Sequence, residues 1–254
     1  MTIAWITGGG TGIGRALAER LLRSGARVAI SGRRQDILDE AARELALLPG
    51  GGEVLALAGD ASDPSYVSDT FFQISKRWGA VTLLVNNAGV NFNHDIFEST
   101  LEEYQKSFKI NCLAAIICTQ IVLPEMLKTG AGEVVNISSV YGRWASYSSA
   151  SYSVGKYALA GYTDALRQGL LHSAIHVMGV FPGFIRTDMT LPFVAPGSLR
   201  SHLGKTPDQM ARAILSALKN RKPELYYPWY VPWVLRLHRW FPQAADQLAR
   251  RFKR

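Results

Sequence analysis

Tyr152 and Lys156 stand four residues apart, and Ser139 precedes the tyrosine by thirteen. Side chains four apart share one face of a helix. The Lys156 ammonium can therefore lie beside the Tyr152 phenol and draw its pKa down toward the range useful for proton transfer. Tyr152 is thus a candidate general acid/base. The spacing alone is common on solvated helices, and its weight comes from the other motifs in the chain.

A second chemical signal lies near residue 1. Ile3-Ala4-Trp5-Ile6 reads as a buried strand, Thr7-Gly8-Gly9-Gly10-Thr11-Gly12-Ile13-Gly14 as a turn, and Ile13, Leu17 and Leu21 then repeat at helical spacing. Strand, glycine turn and helix in that order make a cradle for a pyrophosphate. Gly8, Gly12 and Gly14 lack the Cβ atoms that would block a tight turn and close approach, and the helix N-terminus favours the negative charge.

Six segments occur in order: Thr7 to Gly14, Asp60, Asn86-Asn87-Ala88-Gly89, Asn111, Ser139 with Tyr152 and Lys156, and Pro182-Gly183 followed by Thr187. Over residues 1–228 the chain resembles the short-chain dehydrogenase/reductases of standard single-domain length. The resemblance implies a nicotinamide dinucleotide held along Gly8, Thr11, Gly12, Ile13 and Gly14. It implies an adenine amino group bonded by Asp60, with Ala61 beside it, and an adenosine ribose lined by Asn87, Ala88 and Gly89. The backbone of Ile185 and the hydroxyl of Thr187, next to Pro182 and Gly183, would bind the carboxamide. Lys156 would bond the nicotinamide ribose, and Asn111 would anchor a water chain returning protons to Lys156. The long helix through Asn111 and the helix of Tyr152 would pair across a dimer interface.

Hydride transfer to a carbonyl leaves an oxygen gaining negative charge, which needs a hydrogen-bond donor and then a proton. Tyr152 would supply the proton in reduction or accept it in alcohol oxidation, and Ser139 would hold the substrate oxygen. Ser138 is the rival, but the thirteen-residue step to Tyr152 favours Ser139. Cofactor type is legible after the second strand. A site for NAD places an acid there, whereas a 2'-phosphate needs that acid absent and an Arg nearby. The chain reads Ser31-Gly32-Arg33-Arg34, so NADP(H) is expected, with Arg33 as the phosphate ligand.

The elements that must position these groups alternate along the chain. Strands are expected at Val28 to Ser31, Val54 to Ala58, Leu83 to Val85, Glu133 to Ile137, His176 to Val180 and Glu224 to Tyr227. Helical patterns lie between them, the longest from Glu102 to Leu127. Short apolar strands alternating with helices predict an α/β fold, a Rossmann-type doubly wound parallel sheet of about seven strands with helices on both faces. Ligands bind such sheets at the carboxyl ends of the strands, where Asp60, Asn87, Ser139 and Pro182 all fall.

At 254 residues and 48% apolar content the chain fits one large domain. We expect a dinucleotide-binding and catalytic domain over 1–228 and an aromatic, basic helical extension over 229–254. Cys112 and Cys118, both on an apolar helical stretch, read as core thiols. His172 and His176 flank a turn without ligand partners and read as surface or turn residues, so no metal is expected. The first strand begins without the basic and apolar regions of a signal peptide, so a cytoplasmic protein is expected. From Trp229 onward six Lys or Arg oppose one acid, so the extension carries +5 of the formal +8. A general nucleic-acid surface is therefore not expected.

Within the extension Trp233, Leu237, Trp240 and Phe241 repeat at helical spacing with Arg236 and Arg239 off that face. The stripe suits either a membrane interface, giving peripheral contact with the inner membrane surface, or docking on the protein's own body or a second subunit. Packing is slightly favoured. The substrate pocket is expected between the Ser139–Tyr152 loop, with Arg143, Trp144 and Tyr147, and an apolar lid holding Phe184, Met189, Leu191, Phe193 and Val194. The expected activity is NADP(H)-dependent interconversion of a carbonyl and a secondary alcohol on a hydrophobic substrate, by a homodimer or homotetramer. The alternative is an NADP(H)-binding sensor or scaffold acting through the C-terminal tail.

Overall fold

The computed structural model describes residues 1–191 and 202–251. Among them, seven strands form one parallel sheet in the order β3-β2-β1-β4-β5-β6-β7. These are β1 (Ile3–Thr7), β2 (Arg27–Gly32), β3 (Glu53–Ala58), β4 (Leu83–Asn86), β5 (Glu133–Ile137), β6 (His176–Pro182) and β7 (Glu224–Tyr227). The central strands read as continuous apolar runs because helices cover both faces. Every residue of β1 and of β6 is buried.

On one face α1 (Gly12–Arg23), α2 (Gln35–Ala46) and α7 (Pro207–Lys219) bring Leu17, Leu38 and Ile214 into a core with Ile6 and Val180. On the other, α3 (Pro64–Trp78) and α5 (Ala114–Thr129) bring Ile74, Val122 and Met126 against Trp5 and Leu84. Trp5 is fully buried, and its one polar atom is satisfied, Nε1 donating to Ser31 Oγ at 3.0 Å. Burying each such large side chain contributes about 2 kcal/mol.

The long helix runs unbroken from Leu101 to Thr129, but as α4 (Leu101–Phe108), a π turn (Lys109–Leu113) and α5. A Thr100–Glu103 capping box starts it, and left-handed Gly130 (φ 66°) ends it. By length and composition it could cross a bilayer; here Cys118, Val122 and Met126 are in the core. The π turn widens the helix at Asn111, a distortion common at functional sites.

Strand order reverses direction between β1 and β4, so a crevice opens at their carboxyl ends. The helix α6 (Ala150–Gly169) carries Tyr152 and Lys156. Cys112 and Cys118 are buried thiols pushed up to about 11 and about 12 by burial. His176 departs from expectation: it opens β6 and is buried, and burial with nearby Arg221 holds its imidazole below the usual range. The extension holds two helices, α8 (Val231–Trp240) and α9 (Pro242–Arg251), because Pro242 cannot continue α8.

Candidate active site

A cavity of about 480 Å3 lies over the carboxyl ends of the strands. Its lining gathers Gly8, Thr11, Gly12 and Ile13 with Arg33, Asp60, Ala61, Asn87, Ala88 and Gly89. Ser139, Tyr152, Lys156, Pro182, Gly183, Ile185 and Thr187 line it too. Of the expected residues only Gly14 and Asn111 stand outside this lining, one layer behind it.

The glycine turn needs its glycines. Gly8 and Gly12 adopt φ of 64° and 53°, and a Cβ on Gly14 would lie 2.5 Å from the Gly8 carbonyl oxygen. Thr7, which the motif supplied only as a letter, joins this turn to the β4 loop. Its Oγ1 accepts from the backbone N–H groups of Asn87 and Ala88 at 3.0 Å each, while Asn87 Nδ2 donates to the carbonyls of Thr7 and Gly8. Gly12 faces Thr187, whose Cγ2 would be 3.2 Å from an added Cβ. Thr190, absent from the expected set, holds that loop. Its Oγ1 donates to the Ile185 carbonyl at 2.5 Å and accepts from the Thr187 N–H at 3.0 Å. The Thr-x-x-Thr spacing of a side-chain-closed turn was its signal.

Gly32 ends β2 with no acid beside it, and Arg33 and Arg34 are exposed on the cavity wall. Burial pushes the Asp60 carboxyl up. Hydrogen bonds from the hydroxyl and N–H of Ser62, with Lys109 and Arg33 nearby, outweigh it and hold the group below the usual range. Both Ser62 bonds fall on Oδ1, leaving Oδ2 for another donor. A cradle that a Cβ would fill, a carboxylate at the end of β3 and two guanidinium groups at the end of β2 fit a dinucleotide bearing a 2'-phosphate.

At the other end, Ser139 caps a 3-10 turn, its Oγ accepting from the Tyr141 N–H at 3.1 Å. Burial pushes Tyr152 up to about 12, against the lowering hydrogen bond from Ser139. The expected lowering of the phenol by Lys156 is not met here. The Lys156 Nζ sits 5.8 Å from the Tyr152 ring centroid and donates to the Ile137 carbonyl at 2.7 Å, so desolvation of the phenol dominates. Burial in turn pushes Lys156 down to about 8. Ser138 donates to the Lys156 carbonyl at 2.9 Å, which leaves Ser139 as the hydroxyl beside Tyr152.

Asn111 is buried in the π turn. Its Nδ2 donates to the Val90 carbonyl and Ser107 Oγ, and its Oδ1 accepts from the Val90 N–H. A Cβ on Gly89 would lie 2.9 Å from Asn111 Oδ1 and 3.5 Å from Lys156 Nζ, so the three meet at one point. The Asn111 side chain thus fixes the loop after β4.

The substrate side differs from expectation. Arg143 pairs with Asp164 and Glu224 and lies 4.4 Å over the Phe181 ring. Trp144 Nε1 donates to Asp246 Oδ1 at 3.1 Å, its ring stacked 4.8 Å from His238, and Arg250 covers Tyr147 at 5.4 Å. These three residues face the sheet edge and the tail, because charged and aromatic partners there outcompete an open cavity. Met189 lines the cavity, Phe184 lies against Gly204, and Leu191 is exposed. Phe193 and Val194 of the expected lid, and Phe252, Lys253 and Arg254 of the basic end, lie outside the described residues.

The tail docks, but not through its aromatic stripe. Val231 and Ala245 are buried, and Val231 and Pro228 back onto Gly183. Trp233, Leu237, Trp240 and Phe241 remain exposed, because Val231, Val234, Leu235 and His238 form a second helical face that takes the contact.

The family model described as short chain dehydrogenase matches residues 2–195. The ketoacyl reductase HetN of Nostoc sp. is 31% identical over 87% of this chain and 76% of its own length. The 3alpha-hydroxysteroid dehydrogenase of Mediterraneibacter gnavus is 32% identical over 84% of this chain and 88% of its own. Among solved structures, an alcohol dehydrogenase from the archaeon Thermococcus sibiricus complexed with 5-hydroxy-NADP superposes with a TM-score of 0.79. It is 26% identical and covers 89% of this chain and 95% of its own. The chain belongs to the short-chain dehydrogenase family.

Proposed function

We propose that this short-chain dehydrogenase is an NADP(H)-dependent oxidoreductase that interconverts a carbonyl and a secondary alcohol on a hydrophobic substrate. The observation that carries the proposal is one cavity whose wall holds Ser139, Tyr152 and Lys156 at one end and an acid-free, two-arginine turn at the other. The relatives' names, a ketoacyl reductase and a hydroxysteroid dehydrogenase, support the substrate class. The NADP derivative in the archaeal structure supports the cofactor.

When bound, NADP(H) supplies the hydride in reduction and takes it in oxidation. Ser139 holds the substrate oxygen by donating to it, and Tyr152 gives that oxygen its proton. Lys156, its pKa pushed down to about 8 by burial, is able to pass a proton on to restore the phenol. Asn111 anchors the path that returns protons from solvent to Lys156. Arg33 pairs with the 2'-phosphate, Asp60 with the adenine amino group, and Ile185 and Thr187 with the carboxamide.

The catalytic domain is residues 1–228, and 229–254 is an extension carried on it. The protein works in the cytoplasm as a homo-oligomer, paired through the helices that expose Leu101 and Phe108 on α4 and Val154 and Tyr157 on α6. Cofactor oxidation by the wild type and by Tyr152→Phe, with NADPH and NADH over ketones of increasing apolar size, tests the activity. Turnover that favours NADPH, rises with apolar size and collapses in the variant is expected. Wild-type protein that binds NADPH and reduces none of the ketones would overturn the proposal.

A further inference from the structure

We infer that the outer face of α8 seats the protein on an anionic lipid surface. The helix is apolar on two sides. Val231, Val234, Leu235 and His238 form the inner side, and His238 stacks on Trp144. Trp233, Leu237 and Trp240 form the opposite side, 62%, 45% and 73% exposed, flanked by Trp229 and Phe241 at 75% and 58%. A helix with a second apolar face left exposed needs a further apolar surface to cover it, and five large exposed side chains in one patch mark an interaction surface.

The chemistry of the patch identifies the phase. Tryptophan favours the boundary between water and hydrocarbon, and three of the five side chains are tryptophans. Arg236 and Arg239 run along one edge of the stripe, and α8 contains no acid. The single acid after Trp229, Asp246, is exposed, but it accepts from Trp144 and lies 3.8 Å from His238, on the side of α8 away from Arg236 and Arg239. The patch therefore presents uncompensated positive charge, which attracts anionic headgroups while the long Arg stems reach past the rings. A second copy fits worse, because a two-fold contact would set Arg236 and Arg239 against themselves with no carboxylate between. Ten residues span about 15 Å, so α8 lies in the interface plane rather than across the bilayer.

Flotation of the full chain with vesicles of phosphatidylcholine alone, and of phosphatidylcholine with phosphatidylglycerol, tests this. The protein is expected to float with the anionic vesicles only, and less as salt is raised. Arg236→Gln with Arg239→Gln should weaken partition roughly 30-fold, and Trp233→Ser with Trp240→Ser should abolish it. NADPH binding and particle mass should stay at wild-type values in both variants. Wild-type protein that fails to float, floats equally with both vesicles, or floats as well after the tryptophan changes would overturn the inference. A fall in particle mass in the tryptophan variant would assign the face to a second copy and overturn it too.

Discussion

The two ends of the cavity are held by different means. At the dinucleotide end the walls are held to backbone: Thr7 Oγ1 and Asn87 Nδ2 bond main-chain groups across adjacent strands, and glycines leave room where a Cβ would collide. At the substrate end the loop between Ser139 and Ser149 is fixed by side chains from distant segments, Trp144 by His238 and Asp246, Arg143 by Asp164 and Glu224. A wall made of backbone tolerates few residue types. One made of surface side chains can be rebuilt without disturbing the sheet. Cofactor chemistry is thereby fixed while substrate choice is left free to change.

Tyr152→Phe acts where the two ends meet. It should lower kcat for carbonyl reduction by about 100-fold to 10,000-fold while NADPH binding stays within the wild-type range, and loss of cofactor affinity instead would tie the phenol to the dinucleotide end. Lys156 gives the next largest effect. Its folded pKa of about 8 lies below its ordinary 10.5, so between those values the unfolded chain binds more protons and stability rises with pH. The full rise is about 3 kcal/mol. The buried Cys112 and Cys118 thiols, raised from 9.0, oppose this rise above pH 9. Denaturant midpoints should therefore climb in the wild type between pH 8 and 9, and Lys156→Met should lack that climb.

Arg33→Ala should act at the dinucleotide end alone, raising the Kd for NADPH about 10-fold and leaving that for NADH unchanged. An equal loss for both would remove Arg33 from the 2'-phosphate. The smallest effect belongs to the far end. Asp246→Ala frees the Trp144 indole and should raise KM for the carbonyl about 3-fold without touching NADPH affinity. If it weakened NADPH binding as much as it raised KM, the division between the two ends would fail.

The dinucleotide end and the Tyr–Lys pair were legible because their requirements are local: a glycine at a positive φ, a missing acid after β2, and a Tyr and Lys one turn apart all show in short stretches. Thr7 and Thr190 escaped notice as individuals, since their work is hydrogen bonding to backbone that only the fold brings near. Arg143, Trp144 and Tyr147 were assigned to the pocket because they precede Tyr152. Their partners Glu224, Asp246 and Arg250 lie 81, 102 and 103 positions further on, where no periodicity announces them. In α8 the aromatic period was visible, but the sequence held two apolar faces and gave no means of choosing which would dock. Burial also overturned the simple electrostatic expectation for Tyr152, an effect of surroundings that spacing does not encode.

The bond between Trp144 and Asp246 spans 102 residues, and that distance has a temporal meaning. A chain leaves the ribosome in order, and its early segments can begin to fold before later ones exist. The glycine turn, Asn87 and the Asn111 that fixes the loop after β4 are all present within the first 111 positions. The helices that brace the Trp144 loop are synthesised after everything else in the cavity wall. The residues around the glycine turn are therefore synthesised well before the segments that brace the Trp144 loop.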